Sequence, residues 1–116
     1  MPYRRGDVVL VLYPDSNLRT AKRRPALVIQ ADNLDSGLSQ TIIAMISSNM
    51  TRAGHPSRVM LRLASSEGRH AGILMDSVVM TDNLATVRET EIDRVLGSLS
   101  EMREIEVALR HTLALS

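Results

Sequence analysis

Two adjacent arginines precede an apolar segment near the start of the chain, in residues 23–29 (RRPALVI). The guanidinium of Arg24 stays charged at physiological pH and donates two parallel hydrogen bonds, a geometry that fits a phosphate group. Pro25 favours an extended backbone at Arg24 and, because it has no N–H, is best tolerated at the first position of a strand. The pattern therefore predicts an anion contact where a strand begins. A solvated charge pair that ends a loop is the alternative, and the dipeptide alone favours it.

Short apolar runs between polar segments predict the elements that must position these arginines. Residues 40–47 (QTIIAMIS) are rich in β-branched side chains, and residues 58–63 (RVMLRL) alternate with the period of a half-buried strand. Residues 14–24 are predicted to be a basic loop, and residues 65–72 a polar loop. Five or six strands are predicted, at residues 8–13, 25–30, 40–47, 56–63, 73–81 and 85–87.

The C-terminal segment has the spacing of an amphipathic helix. Ser100 is predicted to cap it, with Glu101 and Glu104 at its positive end and Arg110 near its negative end. Residues 90–93 (TEID) resemble the start of a further, short helix. The predicted fold class is mainly β, a small and strongly curved antiparallel barrel with one C-terminal α-helix and a short helix. Its 116 residues suffice for one domain, spanning residues 1–116.

The composition narrows the classes of function. The chain has no cysteine and three scattered histidines, so the sequence predicts neither a disulfide nor a metal site, and it fits a reducing cytoplasm. No apolar run is long enough to span a membrane. Residues 1–62 carry nine basic and four acidic side chains, whereas residues 63–116 carry five basic and nine acidic ones. This asymmetry fits binding of a polyanion on one face, and fits self-association or an ordinary dipolar surface nearly as well.

A series of short segments follows one order along the chain: residues 6–11 (GDVVLV), 23–29 (RRPALVI), 42–47 (IIAMIS), 76–79 (DSVV), 86–87 (TV), 96–99 (LGSL) and the terminal helix. The series resembles the MazF/PemK family of toxin endoribonucleases, from about residue 3 to residue 115. Such a resemblance implies an SH3-like barrel, shared with CcdB-like toxins, that works as a homodimer. It further implies metal-independent cleavage of single-stranded RNA without a cofactor, and a cognate antitoxin that blocks the RNA groove.

Three candidate catalytic residues follow from the resemblance. Arg24 matches the arginine before the family's proline and is expected to stabilise the charge of the transition state. Ser47 stands where the family has a catalytic threonine or serine, and its hydroxyl is expected to hold the scissile phosphate or the 2′-oxygen. A strand-end hydroxyl that satisfies a backbone group is the alternative for Ser47. Asp82 matches an acid that some members use, so it is a candidate base, and a turn-forming aspartate explains it equally well.

The remaining candidates are expected to bind flanking parts of the RNA. For the basic residues a solvated loop face is the alternative interpretation. Some family members carry an arginine where this chain has Met80, and members often carry another where it has Ala85. These two departures leave the general base and the cleaved sequence open. The residues expected to bind RNA are Arg19, Lys22, Arg23, Ser48 and Asn49.

Two other functions compete with RNA cleavage. One is inhibition of DNA gyrase by a non-catalytic toxin of the same fold, which acts through its terminal helix. The helix here ends in residues 113–116 (LALS) and offers no aromatic side chain of the kind that anchors interfaces. The other is a degenerate relative that binds RNA or antitoxin without cutting.

Overall fold

The apolar, β-branched runs of the sequence form the strands of one antiparallel sheet. A computed structural model describes residues 3–14, 17 and 19–116. The 3₁₀ turns in these residues span Met50–Arg52 and Glu89–Glu91. The strands and α-helices are β1 (Asp7–Pro14), β2 (Ala21–Val28), β3 (Gln40–Ser47), β4 (Arg58–Leu61), α1 (Ser66–Ala71), β5 (Ser77–Arg88), β6 (Ile92–Ser98) and α2 (Arg103–Leu113).

The six strands are arranged in the order β4-β5-β3-β2-β1-β6. The mainly-β class with a C-terminal helix is thereby confirmed, but the predicted barrel is not closed, because β4 and β6 remain at the two edges. β4 has only four residues and pairs with β5 alone. At the other edge β6 pairs with β1, so that Val8 lies opposite Gly97, a residue 89 positions later in the sequence.

Both faces of the central strands are buried. Adjacent residues such as Val8 and Val9 belong to two different apolar clusters, since side chains alternate between the faces of a strand. One cluster includes Leu27, Ala44 and, from α2, Ile105, whereas the other lies on the opposite face. Burial on both faces explains why β1 and β3 are nearly continuous apolar runs. The second cluster contains Val9, Val11, Tyr13, Ala26, Val28, Ile43, Met45, Val87 and Ile92.

One long strand, β5, replaces the two strands predicted near residues 73–81 and 85–87. Its pairing with β3 jumps from Ala44 opposite Leu84 to Met45 opposite Met80. Residues 81–83 therefore form a bulge, which lets a single strand bend without leaving the sheet. Thr81 anchors this bulge, because its hydroxyl lies 2.6 Å from the carbonyl oxygen of Ser57 and 2.7 Å from the hydroxyl of Thr112 on α2.

The helical segments differ from the sequence predictions in three details. Residues 65–72 were expected to be a loop but contain α1, which Ser65 caps by accepting the Gly68 N–H at 3.0 Å. The residue that caps α2 is Met102 rather than Ser100. The helix expected at residues 90–93 is only a 3₁₀ turn, because Ile92 already pairs with Val11 in the sheet. No helix in the described part of the chain has the length and apolar character that a membrane crossing requires.

Candidate active site

The β2–β3 ladder ends at Pro25. Residues 26–28 pair with residues 43–45, whereas in the described part of the chain residues 21–25 pair with β1 alone. Just beyond β2, the Ile29 N–H donates to the Ile42 carbonyl at 3.0 Å. In an antiparallel pair the backbone N–H and C=O groups of every second residue point to the same neighbouring strand. The backbone groups of Leu27 and Pro25 therefore point towards β3. Pro25 has no N–H to donate to Ile46. The missing donor therefore stops the ladder, and the two strands part beyond it.

A cleft of about 1330 Å³ opens where the strands part. Arg24 and Ser47 lie two residues beyond the last pair of the ladder, Ala26 opposite Met45, and both line the cleft. Arg23 and Ser48, their neighbours in the chain, line it as well. The β2 and β3 walls of the cleft thus contain residues predicted from the sequence. Of the eight candidates, those that line the cleft are Lys22, Arg23, Arg24, Ser47, Ser48 and Asn49.

The wall formed by β3 is fixed by local hydrogen bonds. Ser47 is buried, and its hydroxyl oxygen accepts the Asn49 N–H at 3.1 Å. The Asn49 side chain in turn accepts the Thr51 N–H at 3.2 Å and caps the Met50–Arg52 turn. Because the Ser47 oxygen acts as an acceptor here, its O–H proton can be donated to an oxygen bound in the cleft. Ser47 therefore satisfies a backbone N–H, as the alternative interpretation of this residue expected. Its O–H proton can still be donated to a ligand.

The cleft is strongly basic. None of its described lining residues is an aspartate or glutamate. Besides the three cations of β2, Arg52 and Arg94 line it, and sequence analysis missed both of these. Arg94 lies on β6 opposite Leu10, directly after the residues 90–93 that were predicted to begin a short helix. Arg52 approaches the sulfur of Met80 at 3.5 Å, so a guanidinium comes close to the position where the family's arginine is replaced by methionine.

A buried tyrosine holds three strands together beneath the cleft. The Tyr13 hydroxyl on β1 donates to Oδ1 of Asn83 at 2.5 Å, and Asn83 Nδ2 lies 3.1 Å from the sulfur of Met45 on β3. Burial raises the pKa of Tyr13 above its ordinary value, so the hydroxyl keeps its proton at neutral pH. The β5 bulge is thereby tied to the β3 wall.

Two predicted site residues do not line the cleft. The backbone N–H of Arg19 donates to Asn17 in a turn, and its side chain is exposed. Asp82 lies in the β5 bulge, where the Arg58 guanidinium contacts both its oxygens, at 2.8 and 3.4 Å. The hydrogen bond to Arg58 lowers the pKa of Asp82, which makes its carboxylate a weaker base. Within the described residues, no group of three His, Asp or Glu side chains has the arrangement of a metal site.

The chain is similar in sequence and in fold to proteins of one known family. Residues 4–113 match the family described as PemK-like, MazF-like toxin of type II toxin-antitoxin system. The chain is 36% identical over 107 residues to endoribonuclease MazF2 of Mycobacterium bovis and to endoribonuclease MazF6 of Mycobacterium tuberculosis, covering 90% of each chain. It shares the fold of a mycobacterial endoribonuclease solved in complex with its cognate antitoxin, with a TM-score of 0.75, 21% identity and coverage of 98% and 97% of the two chains. As the resemblance predicted, the chain belongs to the PemK-like, MazF-like toxin family of type II toxin–antitoxin systems.

Proposed function

We propose that this protein is a toxin endoribonuclease that cleaves single-stranded RNA. The observation that carries the proposal is that Arg24 and Ser47 both line a cleft whose described lining holds five cationic side chains and no carboxylate. Its volume of about 1330 Å³ exceeds the roughly 300–1,000 Å³ of a typical small-molecule pocket and favours a polymer. Curated relatives at 36% identity are named endoribonucleases.

RNA carries its own nucleophile, the 2′-hydroxyl next to the scissile phosphate, at high effective concentration. The 2′-oxygen attacks phosphorus while a base takes the 2′-proton. The bond to the 5′-oxygen then breaks, and that oxygen takes a proton from solvent water. Arg24 stabilises the extra negative charge on the phosphorane, and Ser47 donates a hydrogen bond to a phosphate oxygen. The products are a 2′,3′-cyclic phosphate and a 5′-hydroxyl. This scheme requires neither a metal nor a cofactor.

The remaining residues of the cleft hold the flanking RNA. Lys22 and Arg23 contact phosphates on the β2 side, and Ser48 and Asn49 offer hydrogen-bond partners on the β3 side. We do not assign the base to Asp82, because its carboxylate is engaged by Arg58 outside the cleft lining. Arg19 contributes charge near the entrance rather than a contact at the scissile group.

We further propose that a cognate antitoxin inhibits this protein by occupying the same cleft, as one structural neighbour was solved with its antitoxin. A cytoplasmic location fits a cysteine-free toxin that acts on RNA. The protein is expected to act as a homodimer, and Val107 and Leu113 leave α2 with exposed apolar side chains that fit such an interface. Light scattering at micromolar concentration checks the dimer, and a monomer there contradicts it.

The test is to incubate purified protein with long RNA in EDTA and to map the new 5′ ends. Cuts at a recurring sequence, with 5′-hydroxyl and cyclic-phosphate ends, are expected. Activity that disappears in EDTA and returns with magnesium contradicts the metal-free scheme. Intact RNA together with inhibited DNA supercoiling by gyrase would identify the non-catalytic toxin instead, and RNA that is bound but uncut would identify the degenerate relative.

A further inference from the structure

Two apolar side chains project from the rim of the cleft. Leu74 is 88% exposed and Met75 is 55% exposed, and both line the cleft that contains Arg24. They lie in the segment between α1 and β5. We call this pair the apolar rim. Other apolar side chains of the described lining are buried or partly buried, so the rim provides the exposed apolar surface next to the predicted catalytic groups.

The backbone that carries the apolar rim is fixed on both sides. Gly72 ends α1 at φ +75°, and a Cβ there would lie 2.2 Å from the Leu96 carbonyl oxygen on β6. Ile73 is buried in the core, next to the rim. After the rim, Asp76 accepts the Leu63 N–H at 2.8 Å, and the Ser77 hydroxyl donates to the Met75 carbonyl at 2.8 Å. The rim is therefore held in place before any ligand arrives, which lowers the entropic cost of using it.

The surroundings of the rim favour a nucleobase as its occupant. Bases of single-stranded RNA need an apolar surface for their faces, usually an aromatic ring. Tyr13 is the aromatic residue in the described lining, but it is only 5% exposed and its hydroxyl is bound to Asn83. The five cations of the cleft attract the phosphates. When the phosphates of an RNA strand contact these cations, the face of a neighbouring nucleobase still lacks a protein contact. A methionine such as Met75 can provide one, because its sulfur makes favourable contacts with aromatic rings.

We propose that Leu74 and Met75 pack against the face of one nucleobase near the scissile phosphate and thereby help to determine which RNA sequence is cut. This inference depends on the proposed function, since it names a contact within the same cleft. The apolar rim acts in binding and register rather than in the chemical step. Loss of the rim should therefore weaken RNA binding and leave the rate at which bound RNA is cleaved nearly unchanged.

The test combines a protein variant with a base deletion. Oligonucleotides spanning the mapped cut site carry a 2′-deoxy group at that site, which prevents cleavage, and an abasic nucleotide at one position at a time. Fluorescence anisotropy gives the dissociation constant of wild type and Leu74→Ala for each. At one position, the abasic change should weaken wild-type binding about fivefold, an effect of about 1 kcal/mol that matches partial burial of one apolar side chain. Leu74→Ala should lose the same factor on intact RNA and be insensitive to the abasic change there.

Leu63→Ala is the matched control, because Leu63 is 40% exposed and does not line the cleft. On cleavable RNA, Leu74→Ala should raise KM and keep kcat. The inference is overturned if Leu74→Ala and the abasic nucleotide weaken RNA binding additively at every position tested. It is also overturned if Leu74→Ala weakens antitoxin binding and leaves RNA binding unchanged. Wild-type protein that binds RNA without dependence on Leu74 leaves the proposed function standing, whereas wild-type protein that binds no RNA overturns both.

Discussion

The two ends of the β2–β3 pair have opposite properties although they belong to the same two strands. Residues 26–28 are buried, apolar and paired with residues 43–45. Residues 22–24 are basic and more exposed, and they face Ser47 and its neighbours across an open cleft. Pro25 stands at the boundary between the two ends. A single missing N–H thus separates a stretch that stabilises the fold from a stretch that can bind an anion.

This difference means that stability and RNA cleavage should respond to different substitutions only a few residues apart. At the paired end, a smaller side chain leaves a cavity in a close-packed core. At the parted end, a lost charge leaves the backbone ladder intact, because β2 still pairs with β1 there. The following substitutions test that separation.

The largest effect is expected for Leu27→Ala at the paired end. Leu27 is fully buried in the cluster that includes Ala44 and Ile105, so the variant loses apolar contacts and gains a cavity. The free energy of unfolding should fall by about 4 kcal/mol, measured by urea denaturation. Leu12→Ala, at an exposed leucine of β1, should change it far less. Cleavage per folded molecule should persist, and a selective loss of cleavage would contradict the separation.

Arg24→Ala at the parted end should reduce kcat about 100- to 1000-fold, or about 3–4 kcal/mol, because the transition state loses its charge stabilisation. Thermal unfolding should change little. Arg24→Lys keeps the charge but cannot donate two parallel hydrogen bonds, so it should recover only part of the rate. Full activity in Arg24→Ala would remove this residue from the mechanism.

A smaller effect is expected for Pro25→Ala, which returns an N–H to the boundary. The new donor faces Ile46, so the ladder should extend by one rung and narrow the cleft. Cleavage should fall while stability is kept, and hydrogen exchange should show a protected amide at position 25. Pro56→Ala, at an exposed loop proline, is the control. An amide at position 25 that exchanges rapidly would contradict our explanation of why the strands part.

The smallest effect is expected for Asp82→Asn, which breaks the ion pair with Arg58. Because the pKa of Asp82 is lowered in the folded state, its contribution is present above the unfolded pKa of about 4 and is lost as the pH falls through the lower folded value. Because solvent screens a partly exposed pair, its contribution to stability is small. Below about pH 4, wild type should therefore lose stability more steeply than the variant. Asp93→Asn, at an exposed aspartate of β6, is the control. A large loss of cleavage in Asp82→Asn would restore the base assignment.

The sequence predicted the strands whose local pattern agrees with their tertiary environment. β3 was predicted with the bounds observed, because its residues are β-branched and buried on both faces. β2 begins four residues earlier than predicted, at Ala21. Its charged first half looks like a loop, and only pairing with β1 makes it a strand. Charged residues in β6 suggested a helix start for the same reason.

The site was predicted only in part. Arg24 belongs to the arginine–proline motif and Ser47 ends a β-branched strand, and both line the cleft. Arg52, Arg94 and the apolar rim enter the cleft from three separate elements. Their positions depend on long-range packing such as the contact of α1 with β6, which no short segment of sequence contains.

The pairing of β1 with β6 has a consequence for how the molecule is made. Val8 is synthesised 89 residues before its partner Gly97, so the sheet cannot be completed until β6 has emerged from the ribosome. A prematurely terminated chain leaves β1 with an unpaired edge and lacks Arg94 and α2. Non-local pairing of this kind also slows folding. The cleft is therefore complete only once β6, which carries Arg94, has been synthesised and has paired with β1.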